Sequence, residues 1–338
     1  MATSPSGIVR VGVAGVGHFG RIHALKAAAS LRARLVGVYD LDAERARAVG
    51  WEAGVPPMDF AALLAASDAI VVSAPAEAHH DLAAAAIRAG RHVLIEKPIA
   101  STLAEAEDLA ALAKAAGAVL QVGHLERFSA AHGAVAARMG RPLYIEAVRV
   151  APFKIRGTDV SVILDLMIHD LDLVLALVDA PIAHVDAVGA AVASAHEDIA
   201  NARVRFANGC VATITASRIS LKTERRMRIF SQSGYLAVDF ANRRLTAIGR
   251  GGGMPVPGMP EFSIEESSWE DHDALAAEQG AFFASILDGA PVLVDAEAGR
   301  RALEAALAVT TAMEHSRQEV SDSGLFVEQG ENGGSGGL

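Results

Sequence analysis

Apolar runs and alanine-rich stretches alternate along the first third of the chain. Ile8 to Ala14 is an apolar run broken by Arg10, the pattern of a strand buried on both faces. Phe19 to Ala29 reads as a helix, and Leu35 to Asp40 as a second strand that ends on an acid. Asp42 to Val49 predicts a short helix with Asp42 as its N-cap. Asp68 to Ser73 is another buried strand, stopped at Pro75, and Glu77 to Ala89 is a helix closed by Gly90. His92 to Ile95 predicts a strand. Thr102 to Ala116 predicts a helix in which Thr102 and Glu105 have capping-box spacing. Ala118 to Val122 completes the series. Such alternation implies a parallel sheet with helices on both faces.

After about residue 123 the rhythm changes. A helix pattern at Ala130 to Met139 precedes a strand at Leu143 to Val150, and Ser161 to Val178 carries apolar residues at helical spacing. β-like stretches then follow between Ala183 and Ile248, including Ala202–Phe206, Cys210–Ala216, Met227–Ser231 and Tyr235–Phe240. Turn signals such as Asn208-Gly209 and Ser233-Gly234 separate them, which predicts a meander of mostly antiparallel strands. Helix patterns at Asp273–Leu287 and Ala296–His315 end the fold. Gly251 to Pro260 reads as a loop. The expected architecture is an α/β Rossmann domain with a doubly wound parallel sheet over 1–122. An α+β domain with a large, mainly antiparallel, open-faced sheet is expected over 123–329, and a disordered glycine-rich tail over 330–338.

Composition narrows the class. The 338 residues suit two domains. No run approaches the ~20 apolar residues that span a bilayer, and Met1 to Gly7 has no signal-peptide pattern. The single cysteine, Cys210, excludes an intrachain disulfide and a cysteine-cluster metal site, and suits a reducing cytoplasm. A net charge of −10 disfavours nucleic acid as a partner. No metal is expected: His79-His80 lacks a third ligand at convincing spacing.

Gly15-Val16-Gly17-His18-Phe19-Gly20 is a G-x-G-x-x-G motif between a predicted strand and a predicted helix. In that setting Gly15 permits a tight turn, Gly17 lets backbone approach a pyrophosphate, and Gly20 lets helix pack on strand. A ligand-free glycine turn is the alternative. Asp40 ends the second strand about twenty residues later, where an acid can bond ribose hydroxyls and repel a 2′-phosphate. No basic residue follows immediately, so NAD is favoured over NADP. Otherwise Asp40 simply caps the next helix.

Glu96-Lys97-Pro98 follows the strand His92–Ile95, beyond whose carboxyl end a ligand would sit. On the residues alone Lys97 reads as a solvated surface lysine, and His169 as readily as a core histidine. Four segments in order change that weighting: AGVGHFGRIH (14–23), SAPAEAHHDLAAAAIRAGRHVLIEKPIA (73–100), GHLERFSAA (123–131) and ILDLMIHDLD (163–172). Together they resemble the Gfo/Idh/MocA family of glucose–fructose oxidoreductases and inositol dehydrogenases, from about Val9 to Arg317. The resemblance implies that Lys97 lies between nicotinamide and substrate. It implies that Ala74, Pro75, His79 and Glu96 border the cofactor, and that Asp165 and His169 form a D-x-x-x-H motif. Four residues apart on a helix, these two share a face. His169 would serve as general base, while Asp165 and Lys97 position the hydroxyl being oxidised.

The family oxidises polyols, sugars and nucleotide sugars. His124-Leu125-Glu126-Arg127-Phe128, and Arg156 to Ser161 leading into ILDLMIHD, are similar to its nucleotide-sugar 3-dehydrogenases. That implies a substrate site of His124, Arg127, Phe128, Arg156, Asp165 and His169. Arg127 and Arg156 are candidates for a diphosphate, with a structural ion pair as the alternative for Arg127. Ser129-Ala130-Ala131 departs from the Asn-Pro-Ala common in relatives. An inositol or free-sugar dehydrogenase is the alternative within the family, and a non-catalytic dinucleotide sensor the alternative outside it. An open sheet face implies a homodimer or homotetramer.

Overall fold

The computed structural model describes residues 7–154, 158, 160–251, 262–270 and 272–322. The 330–338 tail, Arg156 and most of the 251–260 loop lie outside the described residues.

Two sheets organise the chain. The first has parallel strands β1 (Val9–Ala14), β2 (Ala33–Tyr39), β3 (Ala69–Val72), β4 (His92–Glu96) and β5 (Leu120–Gly123), in the order β2-β1-β3-β4-β5. Between them run helices α1 (His18–Ala29), α2 (Ala43–Ala53), α3 (Phe60–Ala66), α4 (His79–Arg88) and α5 (Leu103–Ala116). The doubly wound sheet thus follows the alternation in the sequence. Local chemistry fixes the helix starts as expected. Asp42 caps α2 through the Glu44 and Arg45 amides, and Thr102 and Glu105 form the complete capping box of α5. Helix α3 was not predicted: its seven residues, capped by Asp59, are too short to show a period. Strand order reverses between β1 and β3, which opens a crevice at the carboxyl ends of those two strands.

The second half contains α6 (Ala130–Ala136), β6 (Pro142–Val150), α7 (Ile168–Val178), β7 (Ile182–Ala190), β8 (Ile199–Phe206) and β9 (Val211–Ser217). β10 (Glu224–Ser231), β11 (Gly234–Asp239), β12 (Arg244–Arg250), β13 (Phe262–Ser268), α8 (Ala274–Asp288) and α9 (Ala296–Asp322) follow. The eight strands are ordered β13-β12-β11-β10-β6-β9-β8-β7. This corrects the simple meander. Two antiparallel runs, β7 to β9 and β10 to β13, are joined by β6, which is parallel to β9 and antiparallel to β10. β6 precedes both runs in the chain, so nothing local in the sequence marks it as the central strand.

Alternation along the strands buries one face of this sheet. Ile145, Ala147, Ile214, Met227 and Ile229 form one core with Leu171 and Val174 of α7 and Val309 and Met313 of α9. On the other face Tyr144, Phe230 and Tyr235 pack ring to ring at 5.7 and 4.9 Å, beside an Arg228–Glu146 ion pair of 3.1 Å. No helix of the chain covers that face among the described residues.

The first sheet ends at Gly123, one residue past the expected division, and packing crosses between the two halves. Phe282 and Phe283 of α8 are fully buried against Val9, Val11, Val13 and Leu94 of the first domain. The Val122 amide donates to the Val294 carbonyl ahead of α9, at 2.9 Å.

Candidate active site

The crevice between β1 and β3 opens into a cleft of about 1080 Å³. Gly15, Gly17, His18, Phe19, Asp40, Ala74, Pro75, Glu96 and Lys97 line it, together with Asp165 from the second half of the chain. Gly20 and His79, also predicted for the cofactor, stand behind the lining. A Cβ on Gly20 would sit 1.8 Å from the Gly15 carbonyl oxygen, so this position makes the close helix–strand contact. Gly15 has a φ of +83° and faces the Ala74 backbone, where a Cβ would come within 2.5 Å of the amide nitrogen. A Cβ on Gly17, in contrast, would meet nothing within 4 Å. Gly17 is also the N-cap of α1 and supplies no side-chain cap. A pyrophosphate fits such a place, with the positive helix end and room for close approach at Gly17.

Asp40 does not cap α2; Asp42 does. The Asp40 carboxylate instead accepts the Val16 amide at 2.8 Å and the Asp42 amide at 2.9 Å, tying the glycine turn to the end of β2. Arg45, one helical turn on, folds back to 3.3 Å from it. Arg45 lies five positions past the acid, beyond the immediate neighbours that bear on the 2′-position in the sequence.

His79 is buried. Its ring nitrogens lie 2.7 Å from the Pro98 carbonyl and 2.8 Å from the Ala74 carbonyl, and the neutral ring donates its single N–H to one of them. Burial lowers its pKa despite those two acceptors. His80 bonds Asp108 at 2.9 Å on the outside of the same helix.

Glu96 accepts from His23 Nε2 at 2.7 Å, and Gln279 of α8 donates to His23 Nδ1 at 2.9 Å. This fixes the tautomer of a histidine on the first turns of α1. Beside them Glu278 is fully buried, neither carboxyl oxygen having a partner. Burial, reinforced by Glu96, raises its pKa well above the usual range and keeps it protonated. None of His23, Glu278 and Gln279 stood out in the sequence, because no local pattern links α1, β4 and α8.

Lys97 reaches across the cleft. Its Nζ donates to the Asp165 carbonyl at 2.8 Å and stands 3.8 Å from the Asp165 carboxylate. Asp165 lies in a π-helical turn, Ile163–Met167, that runs into α7 where a continuous α-helix was predicted. His169 follows in the first turn of α7. Its Nδ1 is buried without a partner. Burial holds its pKa well below the usual histidine value, and the charges of Lys97, Arg149, His124 and Arg225 act in the same direction. The imidazole is therefore neutral.

Immediately behind His169, Arg149 of β6 makes two bonds to Asp170, Nε to Oδ2 at 2.7 Å and Nη2 to Oδ1 at 3.1 Å, and a third from Nη1 to Glu126 at 2.7 Å. All three side chains are largely buried. The clamp joins the segment after β5, the central strand and the start of α7.

Of the substrate residues expected from the sequence, Asp165 meets Lys97 in the cleft, and His169, which does not line it, lies within the field of Lys97. His124, Arg127 and Phe128 do not line the cleft. Arg127 pairs with Asp172 at 3.4 Å and contacts the Leu293 carbonyl, the structural alternative foreseen for it. Phe128 is buried in the first-domain core. His124 is buried with both ring nitrogens unpartnered, within the fields of Asp172, Lys97 and Arg127. Cys210 is buried core. Among the described residues no group of side chains is arranged to hold a metal ion.

Residues 9–124 match the family model described as an oxidoreductase family with an NAD-binding Rossmann fold, and residues 133–237 match the GFO/IDH/MocA C-terminal domain. The chain is 45% identical over 313 residues to UDP-N-acetylglucosamine 3-dehydrogenase of Acidithiobacillus ferrooxidans, covering 90% of this chain and 97% of that one. The chain belongs to the Gfo/Idh/MocA oxidoreductase family. A solved structure of that Acidithiobacillus protein superposes with a TM-score of 0.86 at 44% identity, over 91% of this chain and 98% of the other. Inositol 2-dehydrogenase of Rhizobium meliloti is 28% identical over 92% of this chain and 98% of its own length. A scyllo-inositol dehydrogenase from Lactobacillus casei, solved with NAD(H) and scyllo-inositol, shares the fold with a TM-score of 0.76 at 22% identity, over 91% of this chain and 98% of that one. The family is one of enzymes, and NAD is the cofactor of its Rossmann domain.

Proposed function

We propose that this chain oxidises the C3 hydroxyl of UDP-N-acetylglucosamine to the 3-keto sugar with NAD. The observation that carries the reading is near full-length identity of 45% to a dehydrogenase of that substrate, supported by Lys97 and Asp165 meeting in the cofactor cleft with His169 in the field of Lys97. Bound NAD supplies the hydride acceptor. The residues of the chain do the rest. Neutral His169 takes the hydroxyl proton as the C3 hydrogen leaves with its electron pair and the carbonyl forms. Lys97 stabilises the negative charge that develops on the oxygen. Asp165 orients both the lysine and the sugar. The Gly17 amides and Asp40 would hold the pyrophosphate and the adenosine ribose.

A 3-keto sugar is a form onto which an aminotransferase installs an amine, which supports reading the enzyme as serving amino-sugar synthesis for lipid A or another surface glycan. We read it as cytoplasmic, where its nucleotide substrate would be found. The uncovered face of the eight-stranded sheet, with its aromatic cluster, suits a homodimer or homotetramer.

Purified protein given NAD and UDP-N-acetylglucosamine should form NADH and a 3-keto product, as detected by absorbance and mass spectrometry. Turnover of myo-inositol or free glucose without turnover of the nucleotide sugar would replace this reading with the inositol or free-sugar alternative. NAD binding with no hydride transfer to any of the three would favour the sensor.

A further inference from the structure

Three arginines bear on how an anionic substrate is held. Arg127 is engaged by Asp172, and Arg149 by Asp170 and Glu126. Arg225 is not engaged in this way. It is the second residue of β10, and its register partner across the β6–β10 ladder is Arg149. Directly opposed residues of an antiparallel pair project to the same face. Arg149 projects inward to α7, so Arg225 stands on that same face, one strand spacing of about 4.8 Å farther out. The next inward residues of β10, Met227 and Ile229, are buried, whereas Arg225 is exposed.

Among the described residues no carboxylate lies within ion-pair distance of Arg225. Its neighbour Glu224 is taken by Lys222 and Arg226. The field of Arg225 nevertheless reaches His169, Asp170 and Glu126. A cation placed opposite another cation is unfavourable unless an anion joins it, and the two carboxylates nearby already bind Arg149.

In UDP-N-acetylglucosamine the diphosphate is attached at C1, two ring positions from the C3 hydroxyl with the acetamido-bearing C2 between them. With that hydroxyl at His169, a diphosphate only two ring carbons away stays near a cation whose field acts on His169. Arg225 is such a cation, exposed and on the α7-facing side of the sheet beside Arg149. We infer that Arg225 binds the diphosphate of the nucleotide-sugar substrate. The inference rests on the function proposed above. A guanidinium suits the task, because its planar fork matches two phosphate oxygens. The competing role is simple compensation of the Glu126–Asp170 carboxylates, which would govern stability and leave nucleotide affinity unchanged.

The test is calorimetric titration of UDP alone into the NAD-bound protein, for wild type, Arg225→Met and Arg225→Lys. The methionine variant should bind UDP about tenfold to a hundredfold more weakly, the loss expected for hydrogen bonds to a charged group. The lysine variant should keep part of the affinity, because charge remains and the fork does not. NAD affinity should be unchanged in both. The salt sensitivity of UDP binding should fall in the methionine variant. In turnover, KM for the nucleotide sugar should rise by more than kcat falls. Should the methionine variant melt early, Arg225→Gln, polar at an exposed position, is read in the same titration. Unchanged UDP affinity, with wild type still oxidising UDP-N-acetylglucosamine, removes Arg225 from the site and leaves the function standing. Wild-type protein that neither binds UDP nor oxidises the nucleotide sugar removes both.

Discussion

Replacing Arg149 by methionine tests whether the clamp behind His169 holds the second domain together. The substitution keeps an unbranched chain of similar length but deletes three short charge-assisted bonds, at 2.7, 3.1 and 2.7 Å. It leaves two buried carboxylates without a counter-charge. Removing one partner of a buried ion pair destabilises by about 3–5 kcal/mol, and here two acids are stranded. Protonation limits the loss. Burial already raises the pKa of Asp170 in the intact protein, whereas Arg149 holds that of Glu126 down. Without Arg149 both acids have folded pKa values above their unfolded ones. Their neutral forms are tolerated at low pH, and stability is lost as pH rises through the folded values. For a unit of roughly 200 residues each kcal/mol corresponds to about 2–4 °C, so the melting temperature at neutral pH should fall by about 10 °C or more. The assay is differential scanning fluorimetry from pH 5 to 8, with the wild type and an Arg149→Met, Glu126→Gln, Asp170→Asn triple variant beside it. The deficit should shrink toward pH 5, and the triple variant should recover most of it, since a neutral replacement strands no charge. A single variant that melts with the wild type at pH 7.5, or a deficit that persists unchanged at pH 5, would refute the reasoning.

The pH dependence of turnover tests His169. It faces Lys97, Arg149, His124 and Arg225, with Asp165 and Asp170 on its own segment, and the balance lowers its pKa. A base that is neutral to lower pH keeps working there. The acid limb of kcat/KM should therefore fall well below pH 6.5, and His169→Ala should abolish turnover with NAD affinity retained; a limb at or above 6.5 assigned to this residue contradicts the geometry. Glu278 gives a second test, with the opposite sign to an ordinary acid. Its folded pKa is raised, so the wild type loses stability as pH rises above the unfolded value, and Glu278→Gln does not. The variant should match wild type near pH 5 and melt higher at pH 8. Equal melting at both would place the carboxyl in contact with water.

Much of the first half was legible because its determinants are local. The glycine turn, the Asp42 cap and the Thr102–Glu105 box are each written within a few residues. Lys97, Asp165 and His169 were found only through resemblance, since the contact between Lys97 and the π-turn joins residues 68 positions apart. The π-turn itself left no mark: ILDLMIHDL has the same apolar spacing whether one turn is widened or not. Arg127 looked like a ligand because its acid, Asp172, lies 45 residues away. Arg225 passed unnoticed for the converse reason. Its meaning lies in a cross-strand register with Arg149, fixed only once β6 sits between β10 and β9.

The burial of Phe282 and Phe283 against β1 and β4 has a consequence for how the molecule is made. All five strands of the first sheet leave the ribosome roughly 150 residues before α8 does, which at 5–20 residues per second is an interval of about 10–30 s. Throughout it, the face of β1 and β4 that α8 will cover is open to water and to other nascent chains. The cofactor domain therefore cannot finish folding in the order in which it is synthesised. A chain stopped at Val122 would expose an apolar seat shaped for two phenylalanines, and adding residues 274–288 back as a separate peptide is the natural way to close it.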